Sequence, residues 1–343
     1  MDAAGRVLAN AACLNRWQSV VACVHPRGIP RRVAIEACTG SMSLAQELVD
    51  HAGWSVDLAH TTYVARMKRQ PDKTDYSDAR MLADLVRVGY LPRVWLPPSY
   101  IRDLRRLVSL RNSVVVERRN LKLRLAGLLR DHRLQEPFPR WSKRWLAWIK
   151  DPQASCDPLP PIGRFIASEL FDHLTRIADR IRHVEEQMAR FTATDPVVAY
   201  LDSLKATGPV TAWILRAAIG DVTRFKNGRQ LAHYCGLTPA NASSGQRIAD
   251  AGLVDSGNRL LRATLMELAH RLGRSHPRWI AFKQQMLARG KPRNVITAAI
   301  ANRHMRGLYW PWKQFQIAQD QRNHQPVVAA GSFDSSGEVS SGW

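Results

Sequence analysis

The chain has 343 residues, 45% of them hydrophobic, which is enough for a buried core and excludes a wholly disordered polypeptide. Lys and Arg total 50 against 29 Asp and Glu, a formal net charge of +21 that draws polyanions from a distance. Nucleic acid is therefore the leading partner class, with an anionic membrane surface second, and no run of ~18 apolar residues announces a membrane span.

The first residues lack a basic stretch followed by an apolar core, so no secretory leader is expected. Cys13, Cys23, Cys38, Cys156 and Cys235 are scattered, with no CxxC pair. That pattern argues for a reducing cytoplasm and against both a disulfide framework and a zinc site.

Residues 1–95 alternate strand-like and helix-like segments. Val33-Ala-Ile35 and Ser55-Val-Asp-Leu58 read as strands, with a helix over 43–52 between them. A further helix opens at Thr74-Asp75, takes an apolar face from Ala79, Leu82, Ala83, Leu85 and Val86, and stops at Gly89. Alternation of this kind predicts an α/β layer, which Pro92, Pro97 and Pro98 bring to a close.

Residues 99–134 form one long helical pattern. Leu104, Leu107, Val114, Leu121, Leu125 and Leu128 follow coiled-coil spacing, interrupted by Arg111 and Arg118. Two readings stand for this basic helix: a solvated arm of an antiparallel hairpin, or a surface for RNA or DNA. Trp141, Trp145 and Trp148 fall at helical spacing, which favours packing over base stacking. A proline-rich linker occupies 151–161, and a second long helix 162–193 completes a hairpin over 99–193. An all-helical domain is expected over 196–313, and a disordered polar tail over 319–343.

Within 196–313, Gly208 marks a tight helix–turn–helix whose backbone N–H groups could meet a phosphate. The polar stretch from Gly236 to Arg247 presents Ser243 and Ser244 beside Arg247. A serine becomes a nucleophile only where a base or metal activates it and cations stabilise the developing charge. Arg259 and Arg262 then open an apolar helix, where they suit either a phosphate or solvent. In the first domain Glu36 ends a strand at the carboxyl edge, where α/β sheets place their sites, and Asp75 and Asp78 share a helix face. Clustered carboxylates are the ligands of two-metal phosphodiester chemistry; a helix N-cap and a solvated strand end are the plainer readings.

Together these pieces resemble a family of insertion-sequence transposases. Ala34-Ile35-Glu36-Ala37-Cys38-Thr39-Gly40 resembles the family's glutamate-bearing strand, and Lys73-Thr74-Asp75-Tyr76-Ser77-Asp78-Ala79-Arg80 its K-x-D-x-x-D-A helix start. The third stretch runs from Gly208-Pro209-Val210-Thr211-Ala212 through Gly220-Asp221, Phe225, Gly236-Leu-Thr-Pro239 and Ser244-Gly245 to Gly257-Asn258-Arg259-Leu-Leu-Arg262.

The resemblance implies an RNase-H-like (RuvC-like) DEDD domain, a long helical hairpin, and a C-terminal helical domain with a helix-hairpin-helix-like element. It implies DNA cleavage and rejoining by a homo-oligomer, dimer or tetramer, guided by a structured RNA in the cytoplasm, associated with the nucleoid and not a membrane. Glu36, Asp75 and Asp78 would hold Mg²⁺, and Ser244, or Ser243 beside it, would attack the DNA. Arg111, Arg118, Arg247, Arg259 and Arg262 are the expected nucleic-acid contacts. The family's first aspartate and first two strands precede a turn that resembles Asp2-Ala-Ala-Gly5-Arg6-Val7, so the chain as written is expected to lack that carboxylate and to be defective in cleavage. A catalytically dead nucleic-acid-binding remnant and a carboxylate-only Holliday-junction nuclease are the alternatives.

Overall fold

The computed structural model describes residues 1–67, 74–150, 159–241, 250–254 and 257–324. They fall into two compact units, Met1–Pro98 and Ser99–Trp343.

The first unit opens on a tight turn: Asp2 Oδ1 accepts the Arg6 backbone N–H at 2.9 Å around Gly5, whose φ is +87°. Its elements run α1 (Trp17–Val24), β1 (Val33–Glu36), α2 (Ser41–Ala52), β2 (Val56–Ala59), α3 (Thr61–Met67), α4 (Asp75–Arg87) and β3 (Arg93–Val94). Strand β2 is central, parallel to β1 and antiparallel to β3. Ala59, Val64, Leu82 and Leu91 form a small core, on which Ala34 and Leu85 pack. The short helices α1 and α3 and the two-residue β3 carry too few periodic residues to stand out in the sequence.

The second unit begins with α5 (Ser99–Asp131), α6 (Lys143–Lys150) and α7 (Pro161–Phe191). On α7, Leu174, Ile177, Ile181, Val184 and Met188 are buried at alternating three- and four-residue steps, matching Leu104, Val114, Leu121 and Leu125 of α5. Trp145 and Trp148 are buried, Trp145 sealing the hairpin with its Nε1–H donated to Glu136 Oε2 at 2.8 Å. Trp141 does not share their helix; it precedes α6 in a left-handed conformation, φ +68°, with Lys122 Nζ 4.5 Å from its ring centre.

The chain continues through α8 (Pro196–Ser203), α9 (Pro209–Ile219), α10 (Gly228–Tyr234), β4 (Pro239–Asn241), β5 (Asp250–Leu253), α11 (Arg259–Ser275), α12 (Pro277–Ala288) and α13 (Arg293–His324). Two expectations need correction. The region is not all-helical, because β4 and β5 pair antiparallel within it. Nor does the expected disordered tail begin at 319: α13, anchored by buried Gln316 on Asp221, continues as helix to His324. Residues 325–343 lie outside the described residues.

Helix α9 is the centre of this unit. Thr211 to Leu215 and Ala217 to Ile219 are buried, and a helix apolar on all sides has to be enclosed by others. Helices α5, α8 and α11 pack around it, and α13 joins the same core. At the α8–α9 turn the left-handed residue is Ala206, φ +66°, while Gly208 is extended at φ −136°. The strain at Ala206 is held by Arg271 of α11, which donates to the Ala206 carbonyl at 2.9 Å and to Thr211 Oγ1 at 3.0 Å.

His304 of α13 sits in this core beside His276 and Arg278, and burial, before either neighbour, pushes its pKa from the ordinary 6.5 down to about 4. Its folded pKa lies below the unfolded one, so proton uptake favours unfolding: the contribution is complete above pH 6.5 and is lost as pH falls toward 4. The full swing is on the order of 3 kcal/mol. Denaturant unfolding between pH 7 and pH 4.5 should show this decline, and His304→Gln should flatten it; an unchanged slope in the variant would remove His304 as its source.

Candidate functional site

Glu36 is the last residue of β1, half-buried, and opposite Ala59 in the parallel register. It therefore stands at the carboxyl edge of the sheet, as its position in the sequence suggests. Side chains alternate along a strand, so Glu36 shares a face with Ala34, which packs toward α4. On α4, Asp75 and Asp78 fall on the same helical stripe as Leu82 and Leu85, the stripe turned to that core.

Asp75 is not the N-cap. That position belongs to Thr74, whose Oγ1 accepts the Ser77 backbone N–H at 3.2 Å in a reciprocal capping box. Asp75 is exposed and Asp78 half-buried in the first turn. The three carboxylates thus lie on facing surfaces of β1 and α4, but they do not close on a point. Among the described residues no three His, Cys, Asp or Glu side chains are grouped to hold a metal ion, so these carboxylates do not by themselves make a cation site.

Two further polar residues belong to β2 and its end. His60 follows β2 at the same edge as Glu36, its Nδ1 buried without a partner among the described residues. Asp57 lies in the central strand with 15% of its side chain exposed, between Arg93 at 3.3 Å and Arg32 at 3.6 Å. The signal for His60 was its place just after a strand that the sequence does reveal.

In the second unit, Ser243, Ser244 and Arg247 fall between β4 and β5, outside the described residues. Their surroundings are described. The Val254 N–H donates to the Thr238 carbonyl at 3.0 Å, closing the base of the strand pair. Asn258 caps α11 by accepting the Leu261 N–H at 3.1 Å. Gly257, φ +111°, lies so close to the Tyr234 carbonyl that a Cβ would stand 3.2 Å from it. Arg105, Ser109, Asn112, Tyr234 and Asn258 line a cleft of about 400 Å³ against the start of α11.

The arginines named from the sequence separate. Arg262 donates to the Val254 carbonyl at 2.6 Å and so braces the end of β5. Arg259 is exposed at the first position of α11. Arg111 is engaged with Glu185 of α7, at 2.6 and 2.7 Å, with 18% of its side chain exposed. It is a staple of the α5–α7 hairpin rather than an open phosphate contact. Arg118 is half-buried near Lys122, whose pKa falls through burial first and the Arg118 charge second.

The family model described as "Transposase IS116/IS110/IS902 family" matches residues 198–284, from α8 into α12. A second, the DEDD model of IS110 transposases, matches residues 1–133. The chain carries both domains of the IS110/IS116/IS902 transposase family. A Sinorhizobium fredii protein named as a transposase, y4qE, is 29% identical over 69% of this chain and 64% of its own length. A Pseudomonas aeruginosa protein named as a family 20 transposase is 28% identical over 82% of this chain and 83% of its own. The transposase for insertion sequence element IS1111A of Coxiella burnetii is 25% identical over 68% and 65%. The chain thus spans just under two thirds of the Sinorhizobium and Coxiella relatives.

The two α11 arginines give a direct test of structural against binding roles. Arg262→Ala should cost about 1–3 kcal/mol in denaturant unfolding, because a charged hydrogen bond to a half-buried carbonyl is lost. Arg259→Ala should leave unfolding unchanged and weaken DNA binding in a titration. The reverse pattern would exchange their roles.

Proposed function

We propose that this chain is the DNA recombinase of an insertion sequence, with Ser244 as nucleophile and Ser243 as the neighbouring alternative. The observation that carries the reading is the union, in one strongly basic chain, of an α/β unit bearing Glu36 at its carboxyl edge with a helical unit matched as a transposase over the serine-bearing stretch. DNA is the partner the family implies; a structured guide RNA, a homo-oligomer and an RNase-H-like first domain belong to the same proposal.

In the proposed step, Ser244 Oγ bonds to a backbone phosphorus and gives up its proton. The bond from that phosphorus to one deoxyribose oxygen breaks, and this oxygen leaves as a hydroxyl. Five-coordinate phosphorus gathers negative charge on its outer oxygens, which Arg247 and Arg259 would offset. Rejoining is the same exchange run with a different hydroxyl. A divalent cation, where one is bound, would supply further charge stabilisation, with Glu36, Asp75 and Asp78 among the available ligands.

The test is covalent capture. The full chain is incubated with labelled element-end DNA and Mg²⁺ and resolved on denaturing gels. Ser244→Ala should abolish the protein–DNA adduct, and Ser243→Ala should retain it. Adduct loss in Ser243→Ala alone moves the nucleophile by one residue, and adducts in both variants overturn serine chemistry.

A further inference from the structure

Helices α10, α12 and α13 border a cleft of about 610 Å³ that none of the residues assigned above lines. Its walls carry Arg229 from α10, Arg278 from α12, and Arg303 and Arg306 from α13. All four are exposed, no acidic side chain lines the cleft, and none of the four pairs with a described carboxylate. Four guanidiniums gathered without a counter-charge repel one another, and an anion between them relieves that repulsion.

The arrangement is prepared for a ligand. The Arg278 guanidinium lies 4.9 Å from the centre of the Trp279 ring, and that of Arg303 lies 4.6 Å from the centre of Phe282. Stacking holds the planar group in place while its N–H donors stay available. Gly228 lets α10 and α13 touch, since a Cβ there would come within 2.5 Å of the Arg306 carbonyl oxygen. Gly307 leaves the α13 wall bare, with nothing within 4 Å of where a Cβ would be. Pro311, four residues on, has no N–H for the Gly307 carbonyl, so that acceptor lacks its helical donor.

Beside the cleft stands an aromatic ring in water. Trp310 is one turn beyond Arg306 on the same face of α13, and it is 58% exposed. Lys313 Nζ lies 5.6 Å from its ring centre. An exposed indole among cations is the composition of a single-strand site, where cations track phosphates and a base stacks on the ring.

We propose that this cleft clamps one strand of DNA, with Arg229, Arg278, Arg303 and Arg306 on neighbouring phosphates and Trp310 under an unpaired base. The site rests on the reading of the chain as a DNA-acting protein, but not on the serine or the carboxylates. Half of it, on α13, lies beyond the matched residues 198–284. DNA is favoured over RNA because only Asn227 among the lining side chains is neutral and polar, which leaves little to read a 2′-hydroxyl.

The experiment is fluorescence anisotropy with the full chain, at several salt concentrations, on a labelled single-stranded DNA, its duplex and the same-sequence RNA. The Arg303→Ala/Arg306→Ala pair should bind single-stranded DNA about tenfold or more weakly, and its log–log salt slope should drop by about 1.4, roughly 0.7 per phosphate contact. Arg303→Lys/Arg306→Lys should keep the slope, which guards against a folding effect. Trp310→Ala should lose about tenfold with the slope unchanged. Arg176→Ala/Arg180→Ala, exposed on α7, should behave as wild type. An alanine pair indistinguishable from that control, with the wild type binding, overturns the clamp alone. A Trp310→Ala variant of full affinity overturns the stacked base, and a loss confined to RNA overturns the choice of DNA. A wild type that binds no DNA overturns the DNA reading together with the clamp.

Discussion

Helix α9 ends inside the protein, and its last carbonyls must find donors there or remain buried and unpaired. Arg105 of α5 reaches the carbonyls of Ala217 and Ala218 at 2.7 and 3.2 Å, and the Tyr234 hydroxyl also donates to Ala218 at 3.0 Å. Arg224 serves Ile219 at 3.2 Å, and Arg216 serves Gly220 at 2.8 Å. These donors come from three separate parts of the chain, so closing the end of one helix fixes where α5, α9 and α10 meet. The helix dipole adds to the attraction, since its negative end faces three cations. Arg216 is in turn bound to Asp195 at 2.7 Å, and Asp195 caps α8 through the Val197 and Val198 N–H groups. Removing one member of so buried a pair would strand the other, at about 3–5 kcal/mol.

This arrangement changes the meaning of the net charge. Arg105, Arg111, Arg216, Arg224, Arg262 and Arg271 are all engaged with carbonyls or carboxylates, and they add nothing specific to a nucleic-acid surface. Burial even lowers the pKa of Arg105. Of the remainder, Arg229, Arg278, Arg303 and Arg306 come together where α10, α12 and α13 meet. Composition counts both populations alike; only the three-dimensional partners tell them apart.

The same distinction explains what the sequence could reveal. The α5–α7 hairpin was legible because apolar residues recur at heptad steps through more than thirty positions, and the strands β1 and β2 because β-branched and apolar residues sit between turn signals. Glu36 was legible at its strand end for the same reason. By contrast, Arg111 looked like a flaw in the seam, since nothing local says that Glu185, 74 residues away, receives it. The β4–β5 pair escaped because each strand is short and flanked by helices, and its register depends on contacts across the connection. The arginine cleft was invisible for a similar reason: its four cations are contributed by three helices and become neighbours only after folding.

Carboxylates obey the rule that separates the arginines. Asp57, in the central strand, is nearly covered and stands between Arg32 and Arg93, so its charge is answered within the sheet. Glu36, on the neighbouring strand and at the open carboxyl edge, forms no ion pair with a described cation. A carboxylate at that open edge is accessible to an external cation or a cation-bearing ligand. The two acids lie on adjacent strands, yet their surroundings differ: Asp57 is paired with Arg32 and Arg93, and Glu36 has no such partner among the described residues. Glu36 is thus the better founded of the candidate residues in this unit, on the grounds of what surrounds it rather than of the motif in which it sits.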